Sequence, residues 1–327
     1  MSNEYNKKIE EELSTYKDQL DVHELPEIYH YWSNKYLKNM FSEAGFLGID
    51  DLFAKYMFKS VAECKVDEPI FLSIGSGNCD VEVRVAKLLK NKGLTKFKIE
   101  CLELNSNMIE RGKEFAKREN MLEHIIFTEV DFNKWNADKQ YTSIMANQSL
   151  HHVLDLEHLF KEVEKSLLDN GSFVISDIMG RNGHQRWPEA LTHVHKLWKE
   201  LPNEYKYNHL MKRNEEEYVN HDCSTEGFEG IRAQDILALL VEYFNFELFV
   251  GFGNVIDVFV DRPFGHNFNP LKKIDTDFID HVHEIDEMGI LHGDLTPTHI
   301  ICSVQKHKVL KPIYSRNISP ERCIRKV

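Results

Sequence analysis

The segment PIFLSIGSGNCD, from Pro69 to Asp80, combines an apolar run with closely spaced glycines and an acid, a pattern able to hold a ligand against the backbone. Ile70, Phe71, Leu72 and Ile74 form a short apolar run of strand type, after which Gly75 and Gly77 let the backbone turn sharply and approach a ligand closely. Asp80 then opens a helix carrying Val81, Val83, Val85, Ala86, Leu88 and Leu89, with Gly93 where a left-handed C-terminal cap is expected. Strand, glycine turn and helix in that order read as a nucleotide-cofactor site, whereas the glycines taken alone fit an ordinary tight turn. Asp80 stands where a dinucleotide pattern needs its third glycine, which disfavours a dinucleotide.

Three further strand ends add polar groups. The strand Phe97 to Leu104 ends in Glu103, 28 residues after Gly75, where an acid can accept hydrogen bonds from ribose hydroxyls. A strand over His124 to Val130 ends in Asp131 and Phe132, a carboxylate and an aromatic face at a rim where an adenine could sit. A fourth, Tyr141 to Ala146, runs into Asn147, Gln148, Ser149, Leu150, His151 and His152. Polar groups gathered at four strand ends predict an open parallel sheet, because ligands bind outside the carboxyl ends of such strands.

Residues 69 to 180 resemble the core of the class I S-adenosylmethionine-dependent methyltransferases, in the small-molecule branch, with GSGNCD as the cofactor turn, LELNSNMIERG as the second-strand acid and its helix, VDFN as the adenine-side acid and NQSLHHV as the fourth-strand motif. The resemblance implies an α/β fold: a Rossmann-like class I methyltransferase sheet of seven strands, mostly parallel with the last antiparallel, plus N-terminal helices and helical cap insertions. It implies S-adenosyl-L-methionine as cofactor, bound by Ser73, Gly75, Ser76, Gly77, Asp80, Glu103, Leu104, Asp131, Phe132, Asn147 and Gln148. Ser73 departs from the pattern, since many members carry an acid two positions before the first glycine to engage the methionine amino group. Gly75, Asn147 or Gln148, and Asp80 are then left for that contact.

Methyl transfer from a sulfonium proceeds in line and needs donor and acceptor held close in a dry pocket. A base is required where the acceptor is a hydroxyl or a protonated amine, and histidine suits that task at neutral pH. His151 and His152, at the edge towards which the methyl group should point, are the catalytic candidates. Substrate-binding candidates are Tyr31, His184, Trp187, Tyr207 and His266, with His30, Tyr31 and Trp32 as lid residues by resemblance and ordinary core packing as the plain alternative.

Around these residues the chain divides into an N-terminal helical segment (1–66), a core (67–184, 243–251 and 298–306), a helical cap insertion rich in aromatic and histidine rings (185–242), a second insertion between strands six and seven (252–297) and a basic tail (307–327). Within the core, a helix begins at Asp155 and stops before Gly171, and a fifth strand runs from Ser172 to Met179. Strand six is expected at Phe246 to Val250 and strand seven at Thr298 to Gln305.

A formal charge of −13 over 327 residues argues against a nucleic-acid partner. So does the fourth-strand motif, which lacks the paired prolines of amino-group base methylation, while no Pro-Cys nucleophile of the cytosine C5 route is present. From Lys306 onward seven basic residues face only Glu321, a tail expected to dock on the acidic body or to be solvated. Six scattered cysteines suggest neither zinc nor disulfides, although Cys79 in the turn could make it oxidant-sensitive. The histidine pairs 193/195 and 281/283 fall in predicted helices, where i and i+2 diverge, so no metal is expected. No apolar run is long enough for a membrane span and the polar N-terminus resembles no targeting peptide, which makes the cytoplasm the default location. The expected activity is methyl transfer to an oxygen or nitrogen of a small-molecule substrate. The alternatives are a sulfonium-dependent reaction other than methyl transfer and a non-catalytic binding module, and the oligomeric state stays open.

Overall fold

A computed structural model of the chain describes residues 3–15, 25–225 and 227–325. The run Ile70–Ile74 (β1) is buried at every position but its first, a pattern that suits a strand in the middle of a sheet. It pairs in parallel with β2 (Lys98–Glu103), and on its other side with β4 (Tyr141–Asn147). With β3 (Ile125–Glu129), β5 (Leu167–Ile178), β6 (Asn245–Phe252), β7 (His299–Gln305) and β8 (Ile313–Tyr314), the sheet runs β8-β6-β7-β5-β4-β1-β2-β3. The strand order reverses between β1 and β4, which places the β1, β2 and β4 carboxyl ends around one crevice.

The expected antiparallel last strand is β7, which runs against both β5 and β6. The sheet has eight strands rather than seven, because Ile313–Tyr314 in the region read as a tail adds to β6 in parallel. A two-residue strand carries no period-two signal, so sequence alone could not show it. The fifth strand starts at Leu167, before Gly171 rather than after it. Gly171 sits so close to the sheet that a Cβ would lie 2.6 Å from the Thr142 carbonyl oxygen, beside a register shift between Tyr141 and Ser143.

Among the described residues the helices are α1 (Asn3–Thr15), α2 (Glu27–Trp32), α3 (Lys38–Glu43), α4 (Ile49–Cys64), α5 (Asp80–Asn91), α6 (Ser106–Arg118), α7 (Leu156–Ser166), α8 (Pro188–Glu200), α9 (Ile236–Tyr243), α10 (Val255–Val260) and α11 (Lys273–His292). Two start at side-chain caps: Asn105 accepts from the Asn107 N–H at 3.0 Å to open α6, and Asp155 accepts from the His158 N–H at 3.1 Å to open α7. The cap insertion is less helical than its composition predicts, since α8 gives way to short 3-10 turns and a two-stranded pair until α9. Its rings pack on one another and on the second insertion. Trp198 meets Phe264 at 4.8 Å and Tyr218 at 5.5 Å, while Tyr205 meets Phe268 at 4.9 Å between centroids. These aromatics extend the hydrophobic core of the sheet into the insertions.

The basic tail docks: Arg325 pairs with Glu189 at 2.8 Å and Arg316 with Glu287 at 2.5 Å. No helix among the described residues is long and apolar enough to cross a membrane.

Candidate active site

The glycine turn closes over the end of β2: the N–H groups of Gly75 and Ser76 both donate to the Leu102 carbonyl at 3.0 Å. Gly75 holds φ at +67°, and a Cβ there would stand 2.6 Å from the Ser149 Cβ. Only glycine permits both the left-handed conformation and this approach of β1 to the segment after β4. Ser149 completes the contact by donating its hydroxyl to the Ile74 carbonyl at 2.7 Å.

Glu103 ends β2 with both carboxylate oxygens in use, one accepting from Gly77 N–H and the other from Asn105 N–H, each at 2.8 Å. Burial raises its pKa against these backbone donors. The Asn105 side-chain amide nitrogen is buried with no hydrogen-bond partner among the described residues, a donor beside the acid and the positive-φ turn. Together these groups fit a ribose-bearing cofactor such as S-adenosylmethionine. Leu104 follows Glu103 half-buried, and Phe132 comes within 3.6 Å of the Gly75 Cβ position. Asp131 caps the turn carrying Phe132 and accepts the Tyr5 hydroxyl of α1 at 2.6 Å. Asn147 ends β4, and Gln148 adopts φ +52° while its N–H donates to the Ser176 carbonyl at 2.7 Å.

Two of the cofactor candidates serve elsewhere. The buried Ser73 hydroxyl donates to Glu82 of α5 at 2.6 Å, which turns it into the core. Asp80 pairs with Arg84 at 2.7 Å, and the same guanidinium reaches Asp50 of α4 at 2.7 Å. The Cys79 sulfur lies 3.3 Å from that of Cys101. That partner and burial push the Cys79 thiol well above its ordinary range.

Next to the turn, His151 and His152 occupy a 3-10 turn after β4 with ring centroids 4.3 Å apart. Asp177, buried near the end of β5, fixes the turn by accepting the Ser149 and Leu150 N–H groups at 2.9 and 2.7 Å and holding His151 Nδ1 at 2.6 Å. His151 Nε2 then faces Glu229 Oε1 at 3.5 Å, and His152 Nε2 lies 3.6 Å from Glu229 Oε2. His184, after β5, bonds the same carboxylate at 2.7 Å through Nε2. Three of the histidines found in the sequence therefore converge on one carboxylate that was not.

Glu229 belongs to the irregular part of the cap, and backbone bonds carry it in: Ile231 N–H donates to the His151 carbonyl at 3.1 Å and Gly183 N–H to the Gly230 carbonyl at 2.9 Å. Nothing in its local sequence marks it, because its partners lie 45 to 78 residues away in the chain. Burial opposes charge on His151, yet Asp177 and Glu229 outweigh it and hold its pKa up at about 10. The three histidines in turn keep Glu229 far below the carboxylate range despite burial. Burial and the neighbouring His151 push His184 down, against the pull of Glu229. These groups titrate as one coupled unit.

The cover over this edge is α1. Besides the Tyr5 contact, Glu12 Oε1 lies 3.0 Å from His152 Nδ1, Lys8 donates to the Gly227 carbonyl at 2.8 Å, and Glu11 accepts from Gly227 N–H at 3.1 Å. The lid candidates His30, Tyr31 and Trp32 are instead on α2, where Tyr31 donates to Asp280 and Trp32 to His283, both of α11. Of the other substrate candidates, Trp187 is clasped between Arg181 and Arg325 at 5.4 and 4.4 Å. Tyr207 and His266 flank His209 at 5.0 and 5.2 Å. Only His184 reaches the cluster.

A family model described as a methyltransferase domain matches residues 67–242. No curated protein matches the sequence. Among solved structures, geranyl diphosphate C-methyltransferase from Streptomyces coelicolor A3(2) is 13% identical over 78% of this chain and 78% of that one, with a TM-score of 0.43. The StiE O-MT structure is 10% identical over 85% of this chain and 83% of its own, with a TM-score of 0.44. A complex of DhpI with SAH is 17% identical over 54% of this chain and 71% of that one, at a TM-score of 0.32.

Proposed function

Since the chain belongs to this methyltransferase-domain family, and is a transferase with S-adenosylmethionine as its cofactor, we propose that it methylates an oxygen or nitrogen of a small-molecule acceptor. The observation that carries the reading is the convergence of His151, His152, His184 and Glu229 immediately beside the cofactor turn. When bound, the cofactor supplies a sulfonium whose methyl carbon is open to attack by a lone pair.

The chain's own residues supply position and proton handling. Glu103, Asn105 and the Gly75–Gly77 turn hold the nucleoside side, while the imidazole and carboxylate cluster receives the acceptor. Asp177 on Nδ1 and Glu229 beside Nε2 fix the His151 ring in one orientation at the acceptor end of the site. Glu229 bridges three imidazoles, so a proton leaving the acceptor can spread over the unit rather than load one group. Packing α1 over this edge excludes water from the reacting atoms.

The test is incubation of the purified full chain with methyl-labelled S-adenosylmethionine and panels of small alcohols, acids and amines. Label in an acceptor with equimolar S-adenosylhomocysteine, abolished in His151→Ala with cofactor binding kept, is the expected result. Consumption of the cofactor to other products, or binding without turnover on any acceptor, would overturn the proposal in favour of another sulfonium reaction or a binding module.

A further inference from the structure

We infer that His151 Nε2, His152 Nε2 and the Glu229 carboxylate form a binding site for a first-row divalent transition ion. The ligand atoms of these three residues lie within 4.8 Å of one another. His152 Nε2 stands 3.6 Å from Glu229 Oε2, close to the ligand-to-ligand edge of roughly 3.4 Å that bonds of about 2.1 Å produce around a tetrahedral ion, and His151 Nε2 lies 3.5 Å from the other oxygen of the same carboxylate. Two imidazole nitrogens and one carboxylate suit zinc, cobalt or iron(II) and are a poor set for magnesium, which takes oxygen ligands.

The stronger argument is what stands behind each ligand. Metal-binding histidines almost always give their second ring nitrogen to a carboxylate or carbonyl, and ligating carboxylates are themselves hydrogen-bonded. Here His151 Nδ1 is held by Asp177 at 2.6 Å, and His152 Nδ1 lies 3.0 Å from Glu12. His184 holds Glu229 Oε1 at 2.7 Å. With Glu229 Oε2 as the ligand atom, His151 and Glu229 each have a hydrogen-bonded outer partner on the atom that the ion would leave alone, and a carboxylate stands at ion-pair distance from the remaining ring nitrogen of His152. Asp177 is in turn fixed by the Ser149 and Leu150 N–H groups.

Charge points the same way. Three carboxylates, Asp177, Glu12 and Glu229, surround the two imidazoles, and a dication balances them where otherwise ring protons must. The histidine spacings weighed in the sequence were i and i+2 pairs on helices. This pair is adjacent, on a 3-10 turn, and its third ligand lies 77 residues beyond His152, which is why a local reading expected no metal. With three protein ligands the ion would keep a position for an exogenous oxygen. In the proposed transferase, and resting on that reading, this would be the acceptor hydroxyl, whose pKa the ion lowers.

The experiment needs neither cofactor nor acceptor. The full chain is stripped with a chelator, dialysed and titrated with Co(II), followed by visible absorption, and Zn(II) retention after gel filtration is measured by elemental analysis. The expected result is one equivalent, with the cobalt band bleached by zinc and not by magnesium. Glu229→Gln and His152→Asn should each lower affinity at least tenfold, while His281→Ala, on the exposed face of α11, leaves it unchanged. Thermal melts identify any variant that fails to fold, and the inference is then judged on the other. Absence of a cobalt band and of retained zinc in the folded wild type, or equal binding in a folded Glu229→Gln, overturns it. Retained S-adenosylhomocysteine binding in the same sample would show that only the metal site, and not the transferase reading, had failed.

Discussion

Replacing Asp177 with asparagine should be among the most costly single changes in this chain. The carboxylate is buried and accepts from Ser149 N–H at 2.9 Å, Leu150 N–H at 2.7 Å, Ile178 N–H at 2.8 Å and the His151 ring at 2.6 Å. An asparagine has one acceptor oxygen. Its amide nitrogen must therefore face either the paired backbone donors or the imidazole, leaving a buried donor against a donor. A hydrogen bond to a charged group is worth about 1.5–3 kcal/mol, and breaking a buried pair from one side costs about 3–5 kcal/mol. Because the losses share one side chain they do not add, and about 3–5 kcal/mol in total is the expected destabilisation. At about 2 °C per kcal/mol for a chain of this size, the metal-free protein should melt about 6–10 °C lower. Urea unfolding at pH 7 with an unchanged m-value would give the free energy directly. A loss below about 1 kcal/mol would show that Asp177 does not organise the turn that carries both histidines.

Two further outcomes follow from single contacts. Gly75→Ala forces a side chain into a left-handed conformation at a cost of about 1–2 kcal/mol and into the Ser149 Cβ at 2.6 Å. S-adenosylhomocysteine affinity should fall at least about tenfold, or about 1.4 kcal/mol, in calorimetry, and wild-type affinity would contradict the role given to the turn. Glu82, buried beneath Ser73, has its pKa raised by burial to about 7. The folded state therefore keeps a proton that the unfolded chain releases near the ordinary carboxylate range, so this group's contribution is full in acid and is lost as pH rises to about 7. Glu82→Gln should gain stability relative to wild type between pH 5 and pH 8, and parallel stability curves for the two proteins would count against the assignment.

What the sequence made legible was local. The glycine turn, Glu103, the adjacent histidines and the Asp155 cap each announce themselves within a dozen residues, because the backbone geometry they need restricts residue type where they stand. Ser73 shows the limit. Its missing acid reads as a gap in the cofactor site, whereas its hydroxyl is turned inward to Glu82, nine residues on and across the strand-to-helix turn. Glu229 was invisible for the same reason, and so were the contacts of α1, which the sequence places only within an N-terminal helical segment. A single acid in a loop and a polar N-terminal helix acquire meaning only from partners brought by the fold, here His151, His184, Asp131 and His152. Aromatic residues such as Tyr31, Trp187 and Tyr207 are ambiguous in sequence because burial and ring stacking select the same residue types as substrate recognition does. Each has a structural partner in Asp280, Arg325 or His209.

Under the proposed function, Glu103 at the end of β2 reads the cofactor's ribose and methyl transfer proceeds beside it. Calorimetric titration of S-adenosylhomocysteine into wild type and Glu103→Ala tests this most directly. Saturable one-to-one binding by the wild type is predicted. In a variant that still melts cooperatively, binding should weaken by roughly tenfold to a hundredfold, the loss of one or two hydrogen bonds to a charged group. Equal binding by the two proteins, or none by the wild type, would contradict it.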